Sequence, residues 1–428
     1  MIKDKVFLVG VHCKSEDRKT FDESMIELFN LAQTSEVEVE DTFVQTLLKP
    51  NIATYIGKGK IQEIGSNAKS GEVKTLIFND ELSPAQARNI SNLTGCNVVD
   101  RTELILDIFA RHARTKQAKL QVELAQLEYS YTRLKRLWKH LSRIQGGIGF
   151  RGPGEKQIEV DRRAIKKRTS ILKKRLEEIN NTSLIKRKKR RMFTSISLVG
   201  YTNAGKSTLF NRLTHENRYT ADKLFATLDS KTRLMSLDSG EKFVLTDTIG
   251  FINKLPHKLV SSFHSTLLDV VEAELLLHVV DISHPDIFKY IYSVENVLQE
   301  IQADDKNTLF VFNKCDKIDK LHFSFLKKQL IQKYPDSVFI SALKDKNFED
   351  LNSKFEEYAQ KSKIISTLHI PLNLQNLVSF IYQNAEVLEI KYDENHNENI
   401  MKIKINRQLY PNIKKQIEIY KIKEYIHK

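Results

Sequence analysis

The sequence of 428 residues has few cysteines and no long hydrophobic run. Its 3 cysteines, Cys13, Cys96 and Cys315, are widely scattered without a C-x-x-C pair, so they encode neither a disulfide framework nor a zinc site. The apolar run LLLHVV at 275–280 is too short to span a bilayer, and the N-terminus MIKDKVFLVG has charges among its first residues and only the five-residue apolar run VFLVG, too short for an export signal. We therefore expect a protein of the reducing cytoplasm with no membrane span.

Glycine and proline are also scarce, with 15 Gly and 8 Pro in the whole chain. With 41% hydrophobic residues the chain is too apolar to be disordered. Its length is sufficient for roughly two or three packed domains.

Positive charge is concentrated in one segment. Residues 133–191 hold 21 Lys and Arg against 5 Asp and Glu, a net charge of +16, whereas the whole chain has +14, so the remainder is slightly acidic. A charge run is often only a solvated helix face, but so one-sided a concentration of positive charge is typical of proteins that bind a polyphosphate. Nucleic acid is the leading candidate.

The order of predicted strands and helices divides this α/β chain into four parts. Residues 5–100 alternate short β-rich runs with polar helical stretches. Apolar residues then repeat at spacings of 4 and 3 along 120–141 and 158–179, which predicts two long helices folded into a hairpin. The predicted parts are a small N-terminal α/β domain at 1–103, a basic helical hairpin and linker at 104–191, a domain with a mostly parallel sheet at 192–362, and a small α+β appendage at 363–428.

A glycine loop, 146-GGIGFRGPG-154, joins the two helical series. Gly147, Gly149 and Gly152 match the dinucleotide fingerprint G-x-G-x-x-G, but they follow a helix rather than a strand, which argues against that interpretation. Small residues at the tip of a basic hairpin would let the backbone approach phosphate or base. The alternative is a flexible turn without a partner.

A phosphate-binding loop follows a predicted strand, 195-SISLVG-200. Gly200-x4-Gly205-Lys206-Ser207 would open a helix, so that backbone N–H groups surround a β-phosphate. We expect Lys206 to neutralise the β- and γ-phosphate oxygens and Ser207 to ligate Mg²⁺. The loop residues predicted to bind the nucleotide are Gly200, Asn203, Ala204, Gly205, Lys206, Ser207 and Thr208.

A second motif, 243-FVLTDTIG-250, predicts a strand ending in Asp247, which is placed to hold the Mg²⁺ shell. The Gly250 N–H would contact the γ-phosphate. Between the motifs, 224-LFATLDSKTR-233 offers Thr227 or Thr232 to close over the metal, and we favour Thr227. The predicted catalytic residues are Lys206, Thr227 and Gly250, and the predicted metal ligands are Ser207, Thr227 and Asp247.

A third motif identifies the base. The strand 309-LFVFNKCD-316 ends in Asn313-Lys314-x-Asp316. The Asp316 carboxylate can accept both N1–H and the 2-amino group of guanine, a donor pair that adenine lacks. Ser341 and Ala342, after the predicted strand 338-VFISAL-343, would contact the base from its other side. The motifs together predict a P-loop domain that binds and hydrolyses GTP.

These motifs resemble those of the Obg–HflX group of GTPases, and the region before them resembles the HflX family. The likeness covers roughly 5–360 and is carried by 50-PNIATYIGKGKIQEI-64, 79-NDELSPAQARNI-90, 99-VDRTELILDIFARHARTKQAKLQVELAQLEY-129 and 146-GGIGFRGPGEKQIEVDRR-163. It implies a GTPase that binds the large ribosomal subunit and separates stalled or idle ribosomes, with the hairpin reaching ribosomal RNA. Ser230 and Lys231 depart from the family's Pro-Thr, which affects the expected switch closure, and the tail lies outside the likeness.

Phe251 occupies the position where many GTPases have a water-orienting glutamine. It either packs under the switch of a slow enzyme or, as the resemblance implies, retracts while the ribosome activates hydrolysis. Asn203 stands where related GTPases without the glutamine help to bind K⁺ beside the phosphates. Its alternative role is to hold the shape of the loop.

Three functions follow from these observations. The first is a GTPase, expected to be a monomer, that uses Mg²⁺, with K⁺ as a second candidate cation, and splits ribosomes at the large subunit. The second is an assembly or RNA-remodelling factor that uses GTP for timing, and the third is a nucleotide-dependent protein scaffold. In the N-terminal domain, the basic string Gly57-Lys58-Gly59-Lys60 is a minor candidate for a phosphate contact.

Overall fold

The N-terminal part forms a four-stranded sheet. The computed structural model describes residues 4–144, 153–188, 193–215, 224–225, 228–253, 264–394, 396–407 and 409–427. The strands are β1 (Lys5–Cys13), β2 (Glu38–Leu47), β3 (Thr75–Phe78) and β4 (Asn97–Asp100), all parallel in the order β2-β1-β3-β4. The apolar sequence of β1 is buried along almost its whole length, as in a parallel strand covered on both faces.

Four helices accompany this sheet. They are α1 (Arg18–Thr34), α2 (Lys58–Ser70), α3 (Pro84–Thr94) and α4 (Arg101–His112). The last two begin with capping boxes, because Ser83 pairs with Gln86 and Asp100 with Glu103. The predicted α/β class of this N-terminal part is confirmed.

The basic segment forms the predicted pair of long helices, α5 (Lys116–Ile144) and α6 (Pro153–Lys188). Leu120 and Leu124 of α5 pack against Leu172 and Leu176 of α6. These residues lie at the predicted spacings, so the apolar stripe of each helix is used to hold the hairpin together. The glycine loop at 145–152 lies outside the described residues.

A six-stranded sheet follows. Its strands are β5 (Thr194–Val199), β6 (Lys231–Ser236), β7 (Lys242–Asp247), β8 (Leu275–Asp281), β9 (Asn307–Asn313) and β10 (Val338–Phe339), in the order β10-β9-β8-β5-β7-β6. Only β6 is antiparallel to its neighbour within this sheet. The helices are α7 (Lys206–Leu213), α8 (His264–Val271), α9 (Ile287–Glu300), α10 (Lys320–Lys333) and α11 (Phe348–Ser362). The predicted mostly parallel sheet is confirmed.

The C-terminal part is an antiparallel sheet with helices. In chain order it consists of β11 (Lys363–Pro371), α12 (Gln375–Asn384), β12 (Glu386–Asp393), β13 (Glu398–Asn406), α13 (Tyr410–Ile419) and β14 (Lys423–His427). The strand order is β12-β13-β11-β14. This α+β arrangement was predicted as a class, but the strand order was not.

The fold divides into two compact units. The first comprises Met1–Ile179, Thr220–Asp229 and Ile249–Leu267, and the second comprises Asn180–Tyr219, Ser230–Thr248 and Leu268–Lys428. The second unit therefore contains both the six-stranded sheet and the C-terminal sheet. Over the described part of the chain, no helix combines the length and apolarity needed to cross a membrane.

Candidate nucleotide site

The loop between β5 and α7 follows the carboxyl end of a central parallel strand, where ligands bind in open α/β sheets. Gly200 has φ 151°, and a Cβ there would lie 2.2 Å from the carbonyl oxygen of Val279. Gly205 has φ 95°, and a Cβ there would lie 2.2 Å from Nδ2 of Asn313. Both positions require glycine, because the loop passes this close to β8 and to the end of β9.

Lys206 is buried at the first position of α7, where its Nζ donates to the carbonyl oxygens of Gly200 at 3.0 Å and Tyr201 at 2.8 Å. Burial lowers the pKa of this lysine to about 8, with Lys314 adding to the effect and Asp247 opposing it. The loop thus holds an ammonium group, and the positive charge of this group suits a bound phosphate.

Ser207 and Asp247 are brought together from different elements. The Ser207 hydroxyl donates to Oδ2 of Asp247 at 2.7 Å, and the carboxylate is fully buried at the end of β7. A hydroxyl and a carboxylate oxygen are ligands that Mg²⁺ prefers, so the pair fits a magnesium ion. Thr232 lies in β6 beside Thr246, with 3.2 Å between their hydroxyls.

Of the remaining switch residues, Thr227 lies outside the described residues. Gly250 and Phe251 belong to the first compact unit, and the Phe251 ring is buried. Ser230, which departs from the family pattern, donates from its hydroxyl to Oδ2 of Asp269 at 2.9 Å. Asn203 has φ 61°, the left-handed conformation that asparagine tolerates better than most residues.

The predicted base-binding residues converge after β9 and β10. Asn313 donates from Nδ2 to the carbonyl of Ala204 and accepts the N–H of Ala342, both at 2.9 Å, so it ties the phosphate loop to the third motif. The Ser341 hydroxyl donates to Oδ1 of Asp316 at 2.5 Å, which orients this exposed carboxylate. The arrangement can present an acceptor edge to guanine.

Two further contacts at this site were not predicted from the sequence. Asp281 ends β8 and forms an ion pair with Lys314, with 2.7 Å between Oδ2 and Nζ. Tyr201 stacks on Tyr290 of α9 with ring centroids 4.0 Å apart. The position of Asp281 at the end of a buried strand was a usable indication, because Asp247 and Asn313 also end parallel strands of the same sheet. Nothing in the local sequence indicates the tyrosine pair.

A glycine loop that holds a buried lysine, a serine–aspartate pair and an Asn-Lys-x-Asp strand end together define a P-loop GTPase. Three family models match in succession: "GTP-binding GTPase N-terminal" at 22–110, "GTP-binding GTPase Middle Region" at 112–190 and "50S ribosome-binding GTPase" at 195–314. The chain belongs to the HflX family of GTPases and is a GTP-hydrolysing enzyme.

Two relatives named GTPase HflX agree with this assignment. GTPase HflX of Magnetococcus marinus is 42% identical, over 86% of this chain and 85% of that protein. GTPase HflX of Escherichia coli K12 is 41% identical, over 84% and 85% respectively. The crystal structure of a GTP-binding protein from Sulfolobus solfataricus in complex with GDP is 28% identical and covers 84% of this chain and 99% of its own, with a TM-score of 0.44.

Proposed function

We propose that this GTPase binds the large ribosomal subunit through its basic hairpin and, in the GTP-bound form, separates stalled or idle ribosomes. The observation that carries the proposal is the net charge of +16 on residues 133–191, most of which form α5 and α6. The match of 195–314 to a model described as a 50S ribosome-binding GTPase supports the same partner. We place the protein in the cytoplasm and expect it to act as a monomer.

The construction of the hairpin supports an RNA-binding role. Leu120, Leu124, Leu172 and Leu176 pack between the two helices, and among the described side chains of α6 Lys167 and Lys174 are exposed. Cζ of Arg162 and Nζ of Lys166, both in α6, each lie 5.9 Å from the ring centroid of Tyr131 in α5, so the two cations make cation–π contacts with this ring. Long cationic side chains on a helical arm suit the phosphates of folded RNA.

In this proposal the site residues divide the work of GTP hydrolysis. Lys206 would neutralise the β- and γ-phosphate oxygens, and Ser207, Asp247 and Thr227 would hold Mg²⁺, which would supply positive charge against the phosphates. The Gly250 N–H contacts the γ-phosphate, and Asp316 selects guanine. Loop contacts come from Gly200, Asn203, Ala204, Gly205 and Thr208, and base contacts also come from Asn313, Lys314, Ser341 and Ala342.

Phe251 can neither donate nor accept a hydrogen bond, so we propose that ribosome binding stimulates hydrolysis and that K⁺ supplies positive charge near the phosphates. Asn203 is the proposed K⁺ ligand from this chain. A cation there would stabilise the negative charge that develops in the transition state.

Sedimentation with ribosomal particles tests the proposed partner. The protein is centrifuged with mature large subunits, immature particles or joined ribosomes, with GDP or a non-hydrolysable GTP analogue. We expect analogue-dependent binding to mature large subunits. Preference for immature particles would support an assembly factor instead, and binding indifferent to RNA would support a protein scaffold.

A charge-reversal pair locates the binding surface. Lys167→Glu with Lys174→Glu changes two exposed positions of α6, and Lys320→Glu with Lys328→Glu makes the same charge change at exposed positions of α10. We expect the α6 pair to weaken subunit binding strongly and to reduce its salt dependence, because fewer counterions are released. Equal effects of the two pairs would contradict the hairpin's role.

A further inference from the structure

The C-terminal sheet has one covered face and one open face. Alternate residues of its two central strands, among them Leu368, Ile370, Met401 and Ile403, are fully buried in a core with α12 and α13. The two helices therefore cover the same side of the sheet. The intervening residues point to the other side, which no helix of the C-terminal part covers in the described chain.

Strand pairing arranges the open face into rows. One row runs Glu389, Lys402, Thr367 and Tyr425 from β12 to β14, and the next runs Lys391, Ile400, His369 and Lys423. Tyr425 is 56% exposed and meets His369 edge-on, with ring centroids 5.5 Å apart. An aromatic pair thus lies between Lys402 on one side and Lys423 on the other.

The acidic side chains beside this face have local partners. Glu389 pairs with Lys391 at 2.7 Å, and Glu398 lies 3.5 Å from Nδ1 of His369. The end of the face that carries Lys363 and Lys404 is occupied by Glu241 of the preceding domain, whose carboxylate accepts from both lysines. The aromatic pair and the lysines Lys402 and Lys423 remain on the accessible part of the face.

We propose that this open face binds single-stranded RNA. The exposed Tyr425 ring and the His369 ring offer a surface on which unpaired bases can stack, and the flanking lysines suit the connecting phosphates. The βαββαβ order with the strands arranged β12-β13-β11-β14 places these rings on a central strand and its edge neighbour. Duplex RNA fits poorly, because its bases are stacked on each other and not available to the rings.

The choice of RNA over single-stranded DNA rests on the proposed ribosomal function. The stacking of unpaired bases on these rings does not depend on that function. The face would act as a second RNA contact, separate in the chain from the hairpin. Its partner is an unpaired segment, while the hairpin suits the phosphates of folded RNA. The two surfaces can therefore be tested independently.

Site-resolved crosslinking to the full-length protein is the test. A uridine 12-mer that carries 4-thiouridine is irradiated with the protein, and the crosslinked peptides are mapped by mass spectrometry. The variants are Tyr425→Ala and the pair Lys402→Glu with Lys423→Glu. The matched controls are Tyr420→Ala and the pair Lys415→Glu with Lys421→Glu, all at exposed positions in or after α13.

We expect crosslinks in β11 and β14 of the wild type and of the controls. Tyr425→Ala is expected to weaken 12-mer binding at this site about tenfold, as for loss of one stacked base, and the lysine pair to weaken it further at low salt. A duplex of the same length should leave β11 and β14 uncrosslinked.

Crosslinks confined to the hairpin, or equal loss in face and control variants, would overturn the proposal and leave the face to a protein partner. Retained sedimentation with large subunits in Tyr425→Ala would show that this failure is separate from the proposed function. Conversely, a chain that fails to bind subunits but crosslinks at β14 would contradict only the ribosomal role.

Discussion

Oδ2 of Asp229 accepts the backbone N–H groups of Arg114 and Thr115, each at 3.2 Å, immediately before α5 begins. The Thr115 hydroxyl also donates to Asp229 and accepts the N–H of Ala118 at 3.1 Å. Four residues earlier, Phe225 meets Phe109 of α4 with ring centroids 4.6 Å apart. The described residues of 224–229 are therefore attached to the base of the basic hairpin within one compact unit.

Removing this carboxylate is expected to destabilise the protein. Asp229→Ala leaves the N–H groups at the start of a 29-residue helix without their acceptor, and loss of such a cap costs about 1 kcal/mol. The free energy of unfolding is measured in urea. Asp305→Ala, which removes an exposed acidic residue from a turn, is the control. Equal stability of the two variants would show that Asp229 does not anchor the segment.

Proton uptake on nucleotide binding follows from Lys206. Burial lowers its pKa to about 8, and phosphate oxygens nearby favour the protonated form, so the pKa rises when GDP binds. GDP affinity is expected to be level below about pH 8 and to fall by up to about tenfold per pH unit above it. Calorimetry at pH 8.5 in buffers of different ionisation enthalpy measures the uptake. Uptake that persists in Lys206→Met would exclude this lysine as its source.

Base selection is expected to change in Asp316→Asn. An amide cannot accept both guanine donors, but it can donate to the 2-oxo group of xanthine. We expect GTP affinity to fall by orders of magnitude and preference to shift toward xanthosine triphosphate in a competition assay. Asp319→Asn is the control, because Asp319 caps α10 through the N–H of His322 and lies outside the motif. Unchanged selectivity in Asp316→Asn would make the base assignment wrong.

Acid sensitivity is expected from His278. Burial, with the nearby Lys206 charge, lowers the pKa of this β8 histidine to about 3, so the folded protein keeps it neutral. The unfolded chain binds a proton at about pH 6.5, so stability from this group is present above that pH and is lost as the pH falls toward 3. Between pH 7 and 5 the loss is about 2 kcal/mol. His278→Leu should make the free energy of unfolding less dependent on pH; an unchanged slope would contradict the assignment.

Potassium dependence separates two roles of Asn203. With ribosomes present, we expect faster GTP hydrolysis in K⁺ than in Na⁺ at matched ionic strength, because an added cation stabilises developing negative charge. Asn203→Gly retains access to φ 61° while it removes the side chain. Loss of the K⁺ stimulation in Asn203→Gly supports ligation of K⁺ by the side chain. If Asn203→Gly keeps the wild-type stimulation and only Asn203→Ala loses it, the side chain serves the shape of the loop.

Phe251→Ala tests whether the residue in place of the glutamine takes part in hydrolysis. Because its ring has no hydrogen-bonding group and is buried, we expect ribosome-stimulated turnover to be retained at a temperature where the variant is folded. Circular dichroism establishes that condition. Loss of turnover in a folded variant would show that the ring positions the reacting groups.

The sequence was sufficient for most of the individual elements. Period-2 and helical spacings predicted the sheet of β1–β4, the α5–α6 hairpin and the class of the C-terminal part, because these patterns reflect which face of each element is buried. Relations between distant segments were not predictable. The Asp281–Lys314 ion pair depends on the order of β8 and β9, and the Asp229 contact depends on packing far along the chain.

The central claim is that the GTP-bound chain separates ribosomes through its basic hairpin. Light scattering of joined ribosomes, recorded after mixing with the protein and GTP, measures that separation directly. We predict a fall in scattering for the wild type and for Lys320→Glu with Lys328→Glu, and none for Lys167→Glu with Lys174→Glu or with GDP. Constant scattering with the wild type and GTP, while large subunits bind, would contradict the account.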